Sequence, residues 1–171
     1  MAGTAAALRK AIVTTPYRAH TGPGTIVSLG GGAAAARVLL VDDEELLAMA
    51  LKLVLSDEFC VDAMTDAREA LALLTSQTSG PAYDVVLCDV MMPAMNGVEL
   101  RNRVHAVAPQ QAARFIFVTG GICMPYVRAL LESVPNACFE KPLDVSVLRE
   151  TIRRCARSAE PPLRGLLSSL G

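Results

Sequence analysis

Three aspartates, a threonine and a lysine stand at the ends of short apolar runs. Asp42 and Asp43 follow Val38-Leu39-Leu40-Val41, Asp89 follows Val85-Val86-Leu87-Cys88, Thr119 follows Phe115-Ile116-Phe117-Val118, and Lys141 follows Ala137-Cys138-Phe139-Glu140. If each run is a strand of one open parallel sheet, all five residues reach the same edge, the crevice in which such sheets bind ligands. Two carboxylates about 4 Å apart repel by roughly 4 kcal/mol at an effective dielectric near 20, so three in one crevice ask for a cation. Oxygen donors without His or Cys suit a hard ion. Mg²⁺ in particular binds through one or two carboxylates and completes its shell with waters and phosphate oxygens. The chemistry this set can support is phosphoryl transfer. The metal would offset the repulsion between an aspartate and an incoming phosphoryl group, Lys141 would hold a phosphoryl oxygen, and Asp89 would be the nucleophile through an acyl phosphate.

The elements that must position these residues alternate regularly from Arg37 onward. After the first strand, Leu46, Leu47, Ala50, Leu51, Val54 and Leu55 recur at helical spacing and predict a helix from about Glu44 to Ser56. Phe59 to Met64 reads as the second strand. Asp66 with Glu69 makes a capping-box-like start for a helix through about Gln77, ended by Ser79-Gly80-Pro81. The third strand ends at Asp89, and a loop shaped by Pro93 and Gly97 leads to a helix from about Val98 to Val107, closed by Pro109. Phe115 to Thr119 is the fourth strand, Pro125 to Ser133 a short helix, and Ala137 to Glu140 the fifth strand. Asp144 caps a helix through Arg157. Five strands and five helices result. Continuously apolar strands between amphipathic helices imply an α/β fold, a doubly wound five-stranded parallel sheet of flavodoxin-like order 2-1-3-4-5.

Four motifs now lie in order along the chain: Val41-Asp42-Asp43-Glu44, Cys88-Asp89-Val90-Met91-Met92-Pro93-Ala94-Met95-Asn96-Gly97, Val118-Thr119-Gly120-Gly121 and Glu140-Lys141-Pro142. Together they resemble the receiver (response regulator) domain of two-component signalling over about residues 37–157. The resemblance implies that Asp89 is the phosphoacceptor. It implies that Asp42, Asp43, Asp89 and the backbone carbonyl of Met91 bind Mg²⁺, and that Thr119, Gly120 and Lys141 meet the phosphoryl group. It implies a cis peptide bond at Pro142 that would aim the ammonium. Such a domain catalyses only its own phosphorylation and dephosphorylation, and its partner is a histidine kinase or a histidine phosphotransfer protein. A homodimer through the last helix and strand, common among relatives, is compatible with it.

One position departs from the family pattern. Many receivers carry Tyr or Phe three residues before the lysine as a switch, whereas this chain has Cys138, and Phe139 next to it faces the other side of a strand. Receivers attached to hybrid histidine kinases often lack the aromatic, and Phe139-Glu140-Lys141-Pro142-Leu143-Asp144 is similar to their endings, which favours a relay or phosphate sink over transcriptional output. Rival readings are a receiver-like interaction module that works without phosphorylation, an aspartate-nucleophile phosphatase and a flavodoxin-like carrier. The phosphatase would want a second aspartate where Met91 stands. The carrier would want a phosphate cradle where Asp42-Asp43-Glu44-Glu45 repels phosphate.

The chain's 171 residues hold one domain of ordinary size with tails: residues 1–36, rich in Ala and Gly, as an N-terminal linker and 158–171 as a C-terminal tail. Gly24 to Leu29 is similar to the closing strand of a kinase ATPase lobe, yet no nucleotide-binding motif accompanies it. A net charge of −1 without a basic aromatic-laced stripe gives no reason to expect nucleic acid. No apolar run is long enough to span a membrane and no secretory signal is visible, so the expected location is the cytoplasm. Five cysteines without zinc-type spacing read as buried reduced thiols. Met91, Met92 and Met95 read as loop packing, and His105 as an ordinary helix residue.

Overall fold

The computed structural model describes residues 35–76, 82–121 and 123–157. Residues 1–34 and 158–171, which hold almost all of the two expected tails, and the Ser79-Gly80-Pro81 stop lie outside the described residues. So does the expected helix end at Gln77.

The elements run β1 Arg37–Val41, α1 Glu45–Leu55, β2 Cys60–Met64, α2 Ala67–Thr75, β3 Val85–Asp89, α3 Gly97–Val107, α4 Pro109–Ala112, β4 Phe115–Thr119, α5 Pro125–Glu132, β5 Cys138–Glu140 and α6 Val145–Arg157. All strand pairs are parallel, in the order β2-β1-β3-β4-β5. The three central strands are buried almost throughout, which is why they read as unbroken apolar runs. Alternate residues supply opposite faces. Val38, Leu40, Val85, Leu87 and Ile116 pack with α1 and α6. Leu39, Val41, Val86, Phe115 and Phe117 pack with α2 to α5. The helix starts rest on local caps: Asp66 accepts from the amides of Arg68 and Glu69, Asn96 from Glu99, and Asp144 from Ser146 and Val147. No described helix is long and apolar enough to cross a membrane.

Four expectations are corrected. Pro109 does not simply end a helix: Ala108 leaves helical geometry and Pro109 opens the one-turn α4, the first-turn position where its missing N–H costs nothing. There are therefore six helices among the described residues. The core face of α1 is Ala48, Leu51 and Leu55; of the six residues read at helical spacing, Leu46, Ala50 and Val54 are exposed and Leu47 is half-buried. Only Cys88 and Cys155 are buried; Cys138 is half-buried and Cys60 and Cys123 are exposed. Of the loop methionines, Met92 and Met95 are buried but Met91 is exposed.

Candidate functional site

Register decides which carboxylates meet. Val41 of β1 lies level with Cys88 of β3, so the next residues, Asp42 and Asp89, come level at the carboxyl edge. Both are buried, while Asp43, one residue further, is exposed. Lys141, immediately after β5, lies across from them: its Nζ is 2.7 Å from Asp89 Oδ1 and 3.1 Å from Asp42 Oδ2. The other oxygen of each carboxylate is held by the backbone of its own loop. Asp42 Oδ1 accepts from the Glu44 amide at 2.9 Å, and Asp89 Oδ2 accepts from the Met91 amide. Thr119 ends β4 fully buried, its Oγ1 accepting from the Gly121 amide and its carbonyl accepting from the Lys141 amide at 2.9 Å. Asp42 and Asp89 are thus each in direct contact with Lys141, and Thr119 is tied to the lysine through the backbone.

The loop after Asp89 is held tightly. The Gly97 amide donates to the Val90 carbonyl, and the Val90 amide to the Val118 carbonyl. A Cβ at Gly97 would stand 2.3 Å from the Asp89 carbonyl oxygen, so only glycine lets α3 begin this close to the strand end. Two residues after Met92, Ala94 adopts φ 65°, the left-handed region that costs a side chain about 1–2 kcal/mol. Around Gly120 there is open space within 4 Å of where a Cβ would stand. The Lys141-Pro142 peptide bond is cis.

Electrostatically, the site holds two buried carboxylates against one ammonium. Burial by itself pulls the Lys141 pKa down, but its hydrogen bonds to Asp89 and Asp42 outweigh that and hold it above the ordinary lysine value. It is therefore a fixed cation at neutral pH. The neighbouring Cys88 thiol is pushed well up by burial, with the charges of Asp89 and Asp42 adding to the effect, so it stays protonated and inert.

The donor chemistry fits Mg²⁺ as a hydrated ion. Among the described residues no three Asp, Glu, His or Cys side chains are gathered into a closed metal cage. What the edge offers is a pair of adjacent-strand carboxylates, each oxygen keeping a second lone pair, with Asp43 on the solvent side. A pair of carboxylates plus waters is an ordinary magnesium donor set.

Some of these features had weak signals in the chain. The anchoring of Thr119 by the Gly121 amide and of Asp89 by the Met91 amide follows from turn geometry that residue types do not announce. The strained Ala94 could have been suspected from its place between Pro93 and Met95-Asn96-Gly97, where a turn residue such as Gly or Asn is the usual choice.

Comparison with known proteins agrees with this geometry. No curated protein matches the chain. Among solved structures, a chemotaxis protein of Vibrio cholerae superimposes with a TM-score of 0.60 at 28% identity, covering 71% of this chain and 99% of its own. The signal receiver domain of a signal transduction histidine kinase from Syntrophus aciditrophicus gives 0.62 at 25% identity, covering 72% and 91%. The receiver domain of a sensor histidine kinase from Pseudomonas aeruginosa PAO1, with a magnesium ion coordinated in its active-site cleft, gives 0.64 at 20% identity, covering 73% and 100%. The profile of the response regulator receiver domain matches residues 38–153, two thirds of the sequence. On that match, carried by the sheet order and the aspartate-bearing strand ends, the chain belongs to the response regulator receiver domain family of two-component signalling.

Proposed function

We propose that Asp89 accepts a phosphoryl group from a phosphohistidine on a histidine kinase or histidine phosphotransfer protein in the cytoplasm, and that the acyl phosphate so formed alters which partner the domain binds. The observation that carries this is the Lys141 ammonium 2.7 Å from Asp89 Oδ1, at a sheet edge shared with Asp42 and Thr119. In the step, a carboxylate oxygen of Asp89 bonds to phosphorus, the P–N bond of the donor breaks, and the departing imidazole recovers a proton from solvent. Lys141 exchanges part of its contact with Asp89 and Asp42 for a phosphoryl oxygen. Thr119, whose hydroxyl accepts from Gly121, has a proton left to donate to another. Asp42 and Asp89, with Asp43 and the Met91 carbonyl beside them, would hold Mg²⁺, which supplies charge neutralisation for the transferring phosphoryl group.

Phosphorylation adds about two negative charges, and its output depends on whether the Thr119 loop and the β4–β5 face bind that charge better in one of two conformations. With Cys138 where many receivers place an aromatic, this reading assigns the domain to a relay, of the kind attached to hybrid kinases, rather than to direct transcriptional output.

The test is intact-mass measurement after incubation with acetyl phosphate, with and without Mg²⁺, on the native chain and on Asp89→Asn. One added phosphoryl group that requires both Mg²⁺ and the Asp89 carboxylate is expected. No addition to a folded native chain would replace this reading with that of an interaction module working without phosphorylation.

A further inference from the structure

Arginine is almost never buried without a counter-ion, because taking its charge out of water is costly unless an opposite charge replaces the lost hydration. Arg101 of α3 breaks that pattern. It is only 9% exposed, yet among the described residues no carboxylate pairs with it. Its hydrogen bonds go to neutral amides: Nε donates to Asn136 Oδ1 at 3.0 Å and Nη1 to Asn102 Oδ1 at 3.1 Å. Burial pulls its pKa down from the ordinary arginine value, and a guanidinium stays charged all the same.

Asn136 accounts for the position of the guanidinium but not for its charge. Its amide donates to the carbonyls of Ala112 and Phe115, so Asn136, itself buried, staples α4 to β4 and needs from α3 only a donor. A neutral donor would serve.

The rest of the guanidinium is open. Two of its five N–H groups are engaged. Among the described residues Arg149 Nε is the only sealed side-chain nitrogen or oxygen without a partner, so Nη2 of Arg101, which also has none, is reached from outside. Asn102 shows from where: the side chain that accepts from Nη1 also lines a groove of about 440 Å³ between α3 and α5. That volume lies within the roughly 300–1,000 Å³ of small-molecule sites.

The groove is rich in donors. Asn96 Oδ1 accepts from the Glu99 amide and Asn102 Oδ1 from Arg101, so both side chains have their NH₂ groups left to offer. The carboxylate in the lining, Glu99, is already paired with Arg103 at 2.7 Å, which leaves the charge of Arg101 as the uncompensated one. A single positive charge calls for a monoanion. Val98, Ala106 and Leu130 add an apolar strip to the same groove.

We propose that this groove binds a small monocarboxylate, its carboxylate on the open N–H groups of Arg101 and the amide of Asn102, and its apolar body along Val98, Ala106 and Leu130. The site shares no residue with the sheet edge that carries Asp89 and Lys141.

The experiment uses the full chain labelled with ¹³C-methyl alanine and leucine, titrated with butyrate. The Ala106 and Leu130 methyls are expected to shift saturably, with a Kd below about 50 mM, the value at which a ligand of this size would gain only the efficiency of drug-sized molecules. Butyramide, the neutral isostere, should leave them in place. Asn102→Asp puts a carboxylate beside Nη1 and should weaken butyrate binding at least tenfold, with the buried Leu39 and Leu87 methyls unchanged as a check on the fold. Arg101→Gln, which keeps a donor for Asn136, should weaken it likewise. No saturable shift in the native chain overturns the proposal. So does an equal response to butyramide, or Asn102→Asp binding as tightly as the native chain. Inorganic phosphate moving the same methyls at a tenfold lower concentration would overturn the choice of a monocarboxylate.

Discussion

Lys141→Met is the perturbation that tests the electrostatic account of the site most directly, because it removes the cation and keeps an unbranched side chain only one atom shorter. Asp42 Oδ2 and Asp89 Oδ1 both lie within about 3 Å of Nζ and so within about 6 Å of each other. At that separation and an effective dielectric near 20, two unit charges repel by about 3 kcal/mol. That is also the lower end of the cost of removing one partner from a buried ion pair. Lys141 is 24% exposed and the two carboxylates 3% and 6%, so solvent relieves little of it. The expected loss of stability at pH 7 is therefore about 3 kcal/mol.

The chain has no tryptophan, so urea unfolding would be followed by circular dichroism. A loss of that size moves the midpoint down by about 1–2 M at the m-value of a domain of this size. One control separates repulsion from lost packing. Adding Asp89→Asn to Lys141→Met removes one of the facing charges and should recover most of the loss. At alkaline pH the sign is set by Lys141 itself. Its folded pKa is raised, so its contribution is fully present below the unfolded lysine value and is lost as pH rises through the folded one. A cost below about 0.5 kcal/mol, or a double variant no better than the single, would refute the reasoning.

Three further outcomes follow from the same geometry. Mg²⁺ at ten times its dissociation constant should stabilise the native chain by about 1.4 kcal/mol in thermal unfolding, and Asp42→Ala should lose that response. Gly97→Ala forces a Cβ against the Asp89 carbonyl 2.3 Å away and should cost about 1–3 kcal/mol in urea, with phosphorylation by acetyl phosphate slowed as Asp89 is displaced. Ala94→Gly should leave stability unchanged or raise it by up to about 1 kcal/mol, against the usual loss for Ala to Gly, since relief of the left-handed conformation offsets the added freedom of the unfolded chain; a clear loss in urea would contradict it.

What was legible in the chain followed from burial. The strands β1, β3 and β4 are covered on both faces, so nothing polar interrupts them until the chain reaches the edge, and the first polar residue marks the strand end. The parallel order 2-1-3-4-5 followed for the same reason, and the helix number differs only by the one-turn α4. The face of α1 was not legible, because apolar periodicity identifies a face only when the other side is polar. With nine apolar residues in eleven, the pattern Leu46-Ala50-Val54 is as regular as Ala48-Leu51-Leu55, and only packing against Leu148 and Ile152 of α6 and the sheet separates them. The cysteines at 60 and 123 were misjudged similarly: Cys60 lies on the edge strand β2, where one flank is open.

The two adjacent aspartates show where residue types stop and geometry begins. Asp42 and Asp43 are chemically identical, and a strand-to-helix turn alone does not say which will face Asp89. Pairing of Val41 with Cys88 brings Asp42 level with Asp89, and the alternation of side chains sends the next residue outward. Hence Asp42 shares the lysine while Asp43 faces solvent. A one-residue slip between β1 and β3 would exchange those positions. It would also turn Val38 and Leu40 to the face now filled by Leu39 and Val41. The whole central core therefore opposes the slip, and the placement of one carboxylate in the site is held by hydrophobic packing on both sides of the sheet as well as by its contacts with Lys141 and the Glu44 amide.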